Sequence, residues 1–367
     1  MGKKSGITKF LLLILTAGFA ITWPVNGKVT AVAAKNVRNA SYNIPDSVLV
    51  CGSPVGMRLE TTGLLVTGYK AFLSENEEYV SPAKNAEIMI GDKILEIDGI
   101  KISTGDEMQS ALSRCNGGDC LVLTERGNEK IERRVKPERD FETGEFRIGV
   151  WVKERSAGIG TLTFYDDDSG FFGALGHGIS DNSTHDLFPA EGGDIYSAVI
   201  TGVNKGLAGS PGELRGYFRE DIGGIGHISA NTDNGVYGYL YPEGENLFQG
   251  TEMSVDKDRS VHKGTAYIIT TVDENGPCKY SVCIDNVDVA QQGNKGISLH
   301  ITDEKLLSLT GGIVQGLSGS PIIQDGELIG AVTHVLINDP TRGYGIFIEN
   351  MLKTAQGAAE QNLKAVS

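Results

Sequence analysis

Aromatic side chains are scarce, at 7% of the 367 residues with only two tryptophans. Basic residues show no excess either. Acidic residues outnumber them to a net charge of −14 and are spread along the whole chain. A nucleic-acid-binding face needs clustered Lys and Arg, so that class is set aside and the charge reads as solubility. No H-E-x-x-H or comparable ligand spacing occurs, which argues against a metallohydrolase; no metal and no cofactor is expected. Five cysteines are present, Cys51, Cys115, Cys120, Cys278 and Cys283. Four of them form two C-x4-C pairs, whereas zinc knuckles use C-x2-C. The odd count excludes a complete disulfide framework, so the thiols read as buried or tolerated. No amphipathic helix longer than two turns is visible in the second half before 348–359.

Long apolar runs are also lacking, with one exception. Lys3, Lys4 and Lys9 precede an apolar stretch from Phe10 to Trp23, and Ala31-Val32-Ala33 offers small residues at the −3 and −1 positions of a signal-peptidase site. Residues 1–34 are therefore expected to be a secretory signal or an uncleaved anchor, being short for a spanning helix. A linker would cover 35–46.

What is abundant is glycine, 49 residues in all, and the length suits two folded domains. Residues 46–69 alternate apolar stretches with Gly-Ser-Pro and Thr-Thr-Gly breaks, which predicts short strands. Gly91-Asp92 turns into a strand, and Asp98-Gly99 is a two-residue hairpin signal between alternating apolar residues. Thr104-Gly105-Asp106-Glu107 forms a capping box. Met108, Ala111 and Leu112 follow at helical spacing, and Asn116-Gly117-Gly118 ends that helix. The G-D-x-I-x-x-I-x-G core at Gly91, Asp92, Ile94, Ile97 and Gly99 resembles a PDZ domain, placed at 47–137. That resemblance implies a carboxylate-binding loop at Pro54-Val55-Gly56-Met57, with Val55, Gly56 and Met57 facing a groove whose other wall is the helix of Met108 and Leu112. Met57 and Met108 also fit as ordinary core residues.

From 138 to 355 the texture is short β-rich runs between glycine turns, which suggests an all-β sandwich or barrel pair. A helical stretch and C-terminal tail, 356–367, would follow. Two glycine-flanked segments carry the chemistry. GALGHGI at 173–179 presents His177, and Gly316-Leu317-Ser318-Gly319-Ser320-Pro321 presents Ser318. A serine on a tight glycine turn exposes its Oγ and aims nearby backbone N–H groups at one point, a fit for an oxyanion. The turn residues Gly316, Leu317 and Gly319 are the candidates for that hole. A serine hydroxyl needs a base to take its proton, and His177 is the leading one among six histidines. Ser320 is the second candidate nucleophile.

The order His…Ser, with the serine turn leading into a β-hairpin, resembles chymotrypsin-type peptidases. More narrowly, GALGHGI (173–179), TGGIVQGLSGSPIIQDGELIGAVTHV (310–335) and NDPTRGYGIFIENML (338–352) resemble the stage IV sporulation protein B peptidases of endospore-forming bacteria. The resemblance implies a mostly β fold, a PDZ-like α/β module followed by a chymotrypsin-like double β-barrel. It implies a serine endopeptidase exported across the forespore membrane into the intermembrane space. There it would cleave itself and a membrane-bound regulator that restrains an intramembrane metalloprotease, so triggering intramembrane proteolysis and activation of the late mother-cell sigma factor. The PDZ ligand could be the enzyme's own chain. The same resemblance points to Asp303, fifteen residues before Ser318, as the acid that orients His177. Asp233 and Asp285 lie nearer the middle of the interval and remain open, and Asp303 also suits an N-cap of the turn that follows. Two departures stand out: position 317 is Leu where most chymotrypsin-type enzymes have Asp, and GALGHGI differs from their usual alanine–histidine–cysteine segment. The competing readings are a general quality-control protease of the HtrA kind, in which the PDZ domain normally follows the protease, and a non-catalytic PDZ binding protein.

Overall fold

The computed structural model describes residues 44–248 and 250–366. The expected signal segment and most of the linker lie outside the described residues. Among those described, no helix is long and apolar enough to cross a membrane.

The fold turns on one strand. Ser47–Tyr69 runs unbroken for 23 residues, where the sequence predicts several short strands. Its first part pairs with the end of Val150–Tyr165, from Leu49↔Tyr165 to Glu60↔Arg155, and its last part pairs with the beginning, ending at Tyr69↔Val150. Thr61-Thr62-Gly63 sits at the register shift between these halves. Gly63 takes φ +78°, and a Cβ there would lie 2.4 Å from Ile94 O, so a side chain at this kink is excluded by both backbone and space.

The first halves build a barrel. From Ser47–Tyr69 the pairing passes through Val150–Tyr165, Phe171–Ala174, Gly235–Leu240, Gly226–Thr232 and Gly192–Asn204, and closes on Ser47–Tyr69 again. The apolar residues facing inward include Val55, Met57, Leu162, Phe172, Ile195 and Ile228, all essentially inaccessible. The second barrel closes through Gly264–Thr270, Cys278–Val287, Ile297–Ile301, Asp339–Phe347, Glu327–Leu336 and Pro321–Gln324. Full closure removes exposed strand edges. The helix Ile348–Val366 lays Met351, Leu352 and Ala355 onto apolar residues from both barrels, among them Phe171 and Ile323. Residues 356–366 therefore continue a helix rather than forming a separate tail.

The PDZ-like module is nested inside the first barrel's hairpin. Its own core gathers Leu64, Val66, Ile88, Ile94, Ile97, Leu112, Val122 and Ile148. The expected boundaries at 47 and 137 shift accordingly: 47–60 belongs to the peptidase barrel, and the module extends to the strand that returns at Val150. The sequence hides this because a continuous strand carries no break where one domain hands over to the other. Inside the module the local signals hold. Thr104 and Glu107 form a reciprocal capping box on the helix Gly105–Cys115, which Asn116 ends in a left-handed conformation. Asp98 and Gly99 both take positive φ between the paired Ile97 and Ile100. Asp92 is buried and takes two hydrogen bonds from Arg126, at 2.7 and 2.9 Å, and one from Met89 N at 2.8 Å.

Candidate active site

His177 and Ser318 come from different barrels and line one cleft, together with Gly316, His334, Asp233 and Asn294. The second barrel's serine turn is clamped by the first. Thr161 N–H donates to Ser318 O at 3.0 Å, and Thr161 Oγ1 donates to Gly316 O at 2.8 Å. Thr163 Oγ1 reaches Gly319 O at 2.7 Å. Gly319, at φ +93°, sits so close that a Cβ would fall 2.2 Å from Thr161 O and 2.5 Å from Leu175 N. Glycine is required there for the approach of two backbones. Leu175 and Gly176, which lead into His177, both have φ +67°, an uncommon state for leucine that aims the following histidine.

Both reactive side chains rest on carbonyls. Ser318 Oγ donates to Thr333 O at 2.8 Å. His177 Nδ1 lies 2.8 Å from Gly178 O. A carbonyl only accepts, so Nδ1 carries the proton and Nε2 is the free lone pair of the neutral ring. Burial pushes the His177 pKa below its ordinary value, against the opposing pull of the Gly178 carbonyl. No hydrogen bond joins His177 to Ser318 in this arrangement, so productive engagement needs rotation of these side chains.

The turn's backbone separates the candidates for the oxyanion hole. Leu317 N–H is spent on Val314 O at 3.1 Å and Gly319 N–H on Val332 O at 2.7 Å, and the Leu317 side chain is fully buried. Those two residues shape the turn but offer no free donor. Gly316 and Ser318 have no recorded partner for their N–H groups among the described residues, and both line the cleft. Ser320 is excluded as nucleophile by its surroundings: it is fully buried, with Oγ donating to Leu317 O at 2.6 Å.

Asp303 is not at this site. It is the N-cap of the helix Glu304–Thr310, where its Oδ1 accepts from Leu306 N at 3.0 Å and its Oδ2 from Ser281 N at 3.3 Å. Its carboxylate makes no hydrogen bond to His177, whose Nδ1 is already taken by Gly178 O. The expectation that Asp303 orients the imidazole is therefore corrected: a short helix with unpaired N–H groups captures the carboxylate instead. Asp285 is also engaged elsewhere, accepting from His300 Nδ1 at 2.9 Å and Arg342 at 3.0 Å. Asp233 is the one carboxylate lining the cleft among the described residues, and it is exposed. The residue that sequence reasoning passed over is His334. It stands directly after the Thr333 whose carbonyl holds Ser318, with its ring 5.0 Å from that of His177 at 41°. Its position in the hairpin that follows the serine turn was the available signal.

The peptide-loop residues are likewise relocated. Val55 and Met57 are buried in the first barrel's core. A Cβ on Gly56 would fall 2.3 Å from the Phe218 ring, so this glycine serves packing in the barrel. Met108 and Leu112 do line a groove, shared with Gln109, Phe72, Lys70 and Trp151. Lys70 Nζ stands 4.6 Å over the exposed Trp151 ring. Two residues along the same strand, Lys153 lines the cleft of His177 and Ser318 and binds the buried Asp181 at 2.8 Å.

All five cysteines are free thiols, and burial pushes Cys120 up to about 12. The donor atoms of Cys283, Asp285 and His300 lie within 4.8 Å of one another, a set that suits zinc by type. The Asp285 carboxylate is already shared between His300 and Arg342, and none of the three lines the cleft.

The profile of the family described as SpoIVB peptidase S55 matches residues 144–352, and a PDZ domain profile matches 78–136. A putative zinc metalloprotease of Clostridium perfringens (strain 13 / Type A) is 34% identical over 70 residues, 19% of this chain; the chain spans about a fifth of that protein's length, 21%. Among solved structures, the PDZ domain of the SdrC-like protein from Listeria monocytogenes is 20% identical over 25% of this chain and 88% of its own, with a TM-score of 0.20. The HtrA-type protease AlgW with decapeptide is 13% identical over 60% of this chain and 58% of its own, with a TM-score of 0.33. The cleft joins a glycine-held serine to a histidine from the opposite barrel, and the peptidase profile spans both segments. The chain belongs to the SpoIVB peptidase S55 family and carries a PDZ domain match at residues 78–136.

Proposed function

We propose that Ser318 is the nucleophile and His177 the general base of an exported endopeptidase that cuts itself and a membrane-bound regulator during sporulation. The observation that carries the catalytic part is the pair of unspent N–H groups at Gly316 and Ser318, in the same cleft as His177. In the reaction Ser318 Oγ leaves Thr333 O and gives its proton to His177 Nε2 while its oxygen attacks the peptide carbonyl. The carbonyl oxygen gains the negative charge and takes hydrogen bonds from Gly316 and Ser318 N–H. The imidazolium then returns the proton to the departing amine, and a water repeats the cycle on the acyl-enzyme. The biological part rests on family membership and on the two catalytic segments at 173–179 and 310–335. The PDZ-like module supports a protein substrate, its groove offering an apolar wall at Met108 and Leu112 and a cation at Lys70 for an extended peptide.

The test compares Ser318→Ala with Ser320→Ala. The first should abolish cleavage of a peptide substrate and of the chain itself, with a rate loss of several orders of magnitude. Normal turnover by Ser318→Ala would overturn the assignment.

A further inference from the structure

The cleft contains a nitrogen with nothing to do. His334 Nδ1 is buried and has no hydrogen-bond partner, and buried polar atoms left unpaired are uncommon enough to need a reason. Its ring lies against that of His177, with centroids 5.0 Å apart. Burial, then the neighbouring His177 and Lys295, push the His334 pKa down to about 4. The ring is therefore neutral near pH 7, and one of its nitrogens is an acceptor.

His177 lacks the partner that a general base of this kind normally has. A carboxylate on Nδ1 fixes the tautomer and stabilises the charged ring. Here Gly178 O fixes the tautomer at 2.8 Å; Asp285 and Asp303 are engaged elsewhere, the buried Asp181 is held by Lys153, and the Asp233 that lines the cleft is exposed. When His177 turns toward Ser318, its Nδ1–H leaves a carbonyl that belongs to the next residue of its own turn. The ring in contact with it carries the unpaired buried nitrogen.

We propose that His334 is the positioning residue of this peptidase, its Nδ1 accepting the Nδ1–H of His177 when that ring leaves Gly178 O to engage Ser318. The proposal rests on the assignment of Ser318 and His177 above. The balance of the step is simple. The Ser318 proton moves to His177 Nε2 as the Oγ–C bond forms, and the carbonyl π pair moves to the oxygen held at Gly316 and Ser318. His177 Nδ1–H stays covalently on His177 and is shared with His334 as a hydrogen bond. No proton passes to His334, and the Nε2 proton leaves with the amine as the C–N bond breaks. Thr333 ties the arrangement together: its carbonyl parks Ser318, its hydroxyl donates to Asn294 O at 2.7 Å, and its neighbour is His334. One strand segment thus holds the nucleophile at rest and supplies the acceptor on engagement.

The experiment uses the full chain and two substitutions. His334→Phe keeps a flat ring without an acceptor, and His334→Gln restores an acceptor. kcat for a peptide substrate should fall roughly 100-fold or more in His334→Phe with KM little changed, and His334→Gln should recover a large part of the loss. An ordinary kcat in His334→Phe overturns the proposal, as does equal loss in both variants with unchanged thermal unfolding. Should His334→Phe fail to fold, nitrogen NMR of the wild-type chain labelled at histidine decides. With Ser318 phosphonylated, the His334 Nδ1 signal should move to that of a hydrogen-bonded acceptor; an unmoved signal overturns the proposal. Failure of the phosphonate to label Ser318 at all would instead sink the underlying assignment of the nucleophile.

Discussion

Thr161 holds Ser318 in place with its main chain and Gly316 with its side chain, at 3.0 and 2.8 Å. One first-barrel residue thereby fixes the second barrel's serine turn on both sides of Leu317. Thr161→Val removes the hydroxyl at nearly constant volume and leaves the carbonyl of Gly316 without that partner. The expected cost is about 1–2 kcal/mol of stability together with a fall in kcat, since Gly316 N–H belongs to the proposed oxyanion hole. Thr161→Ser should keep most of both. Urea unfolding and steady-state kinetics on the two variants check this, and a fully active Thr161→Val would remove the clamp from the account.

Asp303 separates two roles cleanly. As an N-cap it tolerates asparagine, and alanine costs about 1 kcal/mol. As a triad acid it would not tolerate asparagine, where losses near 10⁴-fold are the precedent. The structure predicts that Asp303→Asn keeps kcat within a few fold and that Asp303→Ala lowers the unfolding midpoint. A collapse of kcat in Asp303→Asn with an intact fold would restore the triad assignment.

The pH profile follows from His177. Burial favours its neutral form, so the unfolded ring holds its proton to higher pH than the folded one. As the proposed base, His177 stays competent below the ordinary histidine value of about 6.5, and kcat/KM should fall only at more acid pH. The same sign governs His334, which titrates near 4 when folded: its contribution to stability is complete above about pH 6.5 and is lost as pH falls from there toward 4. His177, Lys153 and Asp233 share the cleft with it, and Lys295 adds positive charge nearby. A kcat/KM midpoint above 7 would contradict the buried, neutral base.

Substitutions at the expected peptide-binding positions should split by location. Trp151→Ala or Met108→Asp alters the groove and should weaken peptide binding and processing of a protein substrate more than cleavage of a short peptide. Gly56→Ala places a methyl group against Phe218 and should damage the barrel, lowering both activities together. Binding isotherms and paired cleavage assays distinguish the outcomes, and a Gly56→Ala chain defective only in peptide binding would return that loop to the groove.

Local signals in the sequence were legible because they depend on neighbours in the chain. The Thr104 capping box, the Asp98-Gly99 turn and the serine turn each need only a few adjacent residues. Ser47–Tyr69 was misread because its bulges at Gly52 and Gly63 look like strand ends, although both are positive-φ glycines within a continuous strand. Met57 was placed in a groove for the same reason, since its burial depends on strands more than a hundred residues away. Thr161 was invisible as a site residue because only the packing of one barrel on the other brings it to Ser318, whereas Asp233 stood among the open alternatives for the acid and His334 lies in the hairpin that follows the serine turn. Asp303 had the right spacing from the serine and the wrong neighbours.

The central claim is that Ser318, and not Ser320, is the activated hydroxyl. Covalent labelling of the full chain with a fluorophosphonate, followed by peptide mapping, tests it most directly. The account predicts a single adduct on Ser318 that is lost in Ser318→Ala and greatly slowed in His177→Ala. An adduct on Ser320, or labelling of Ser318 at an unchanged rate in His177→Ala, would contradict it.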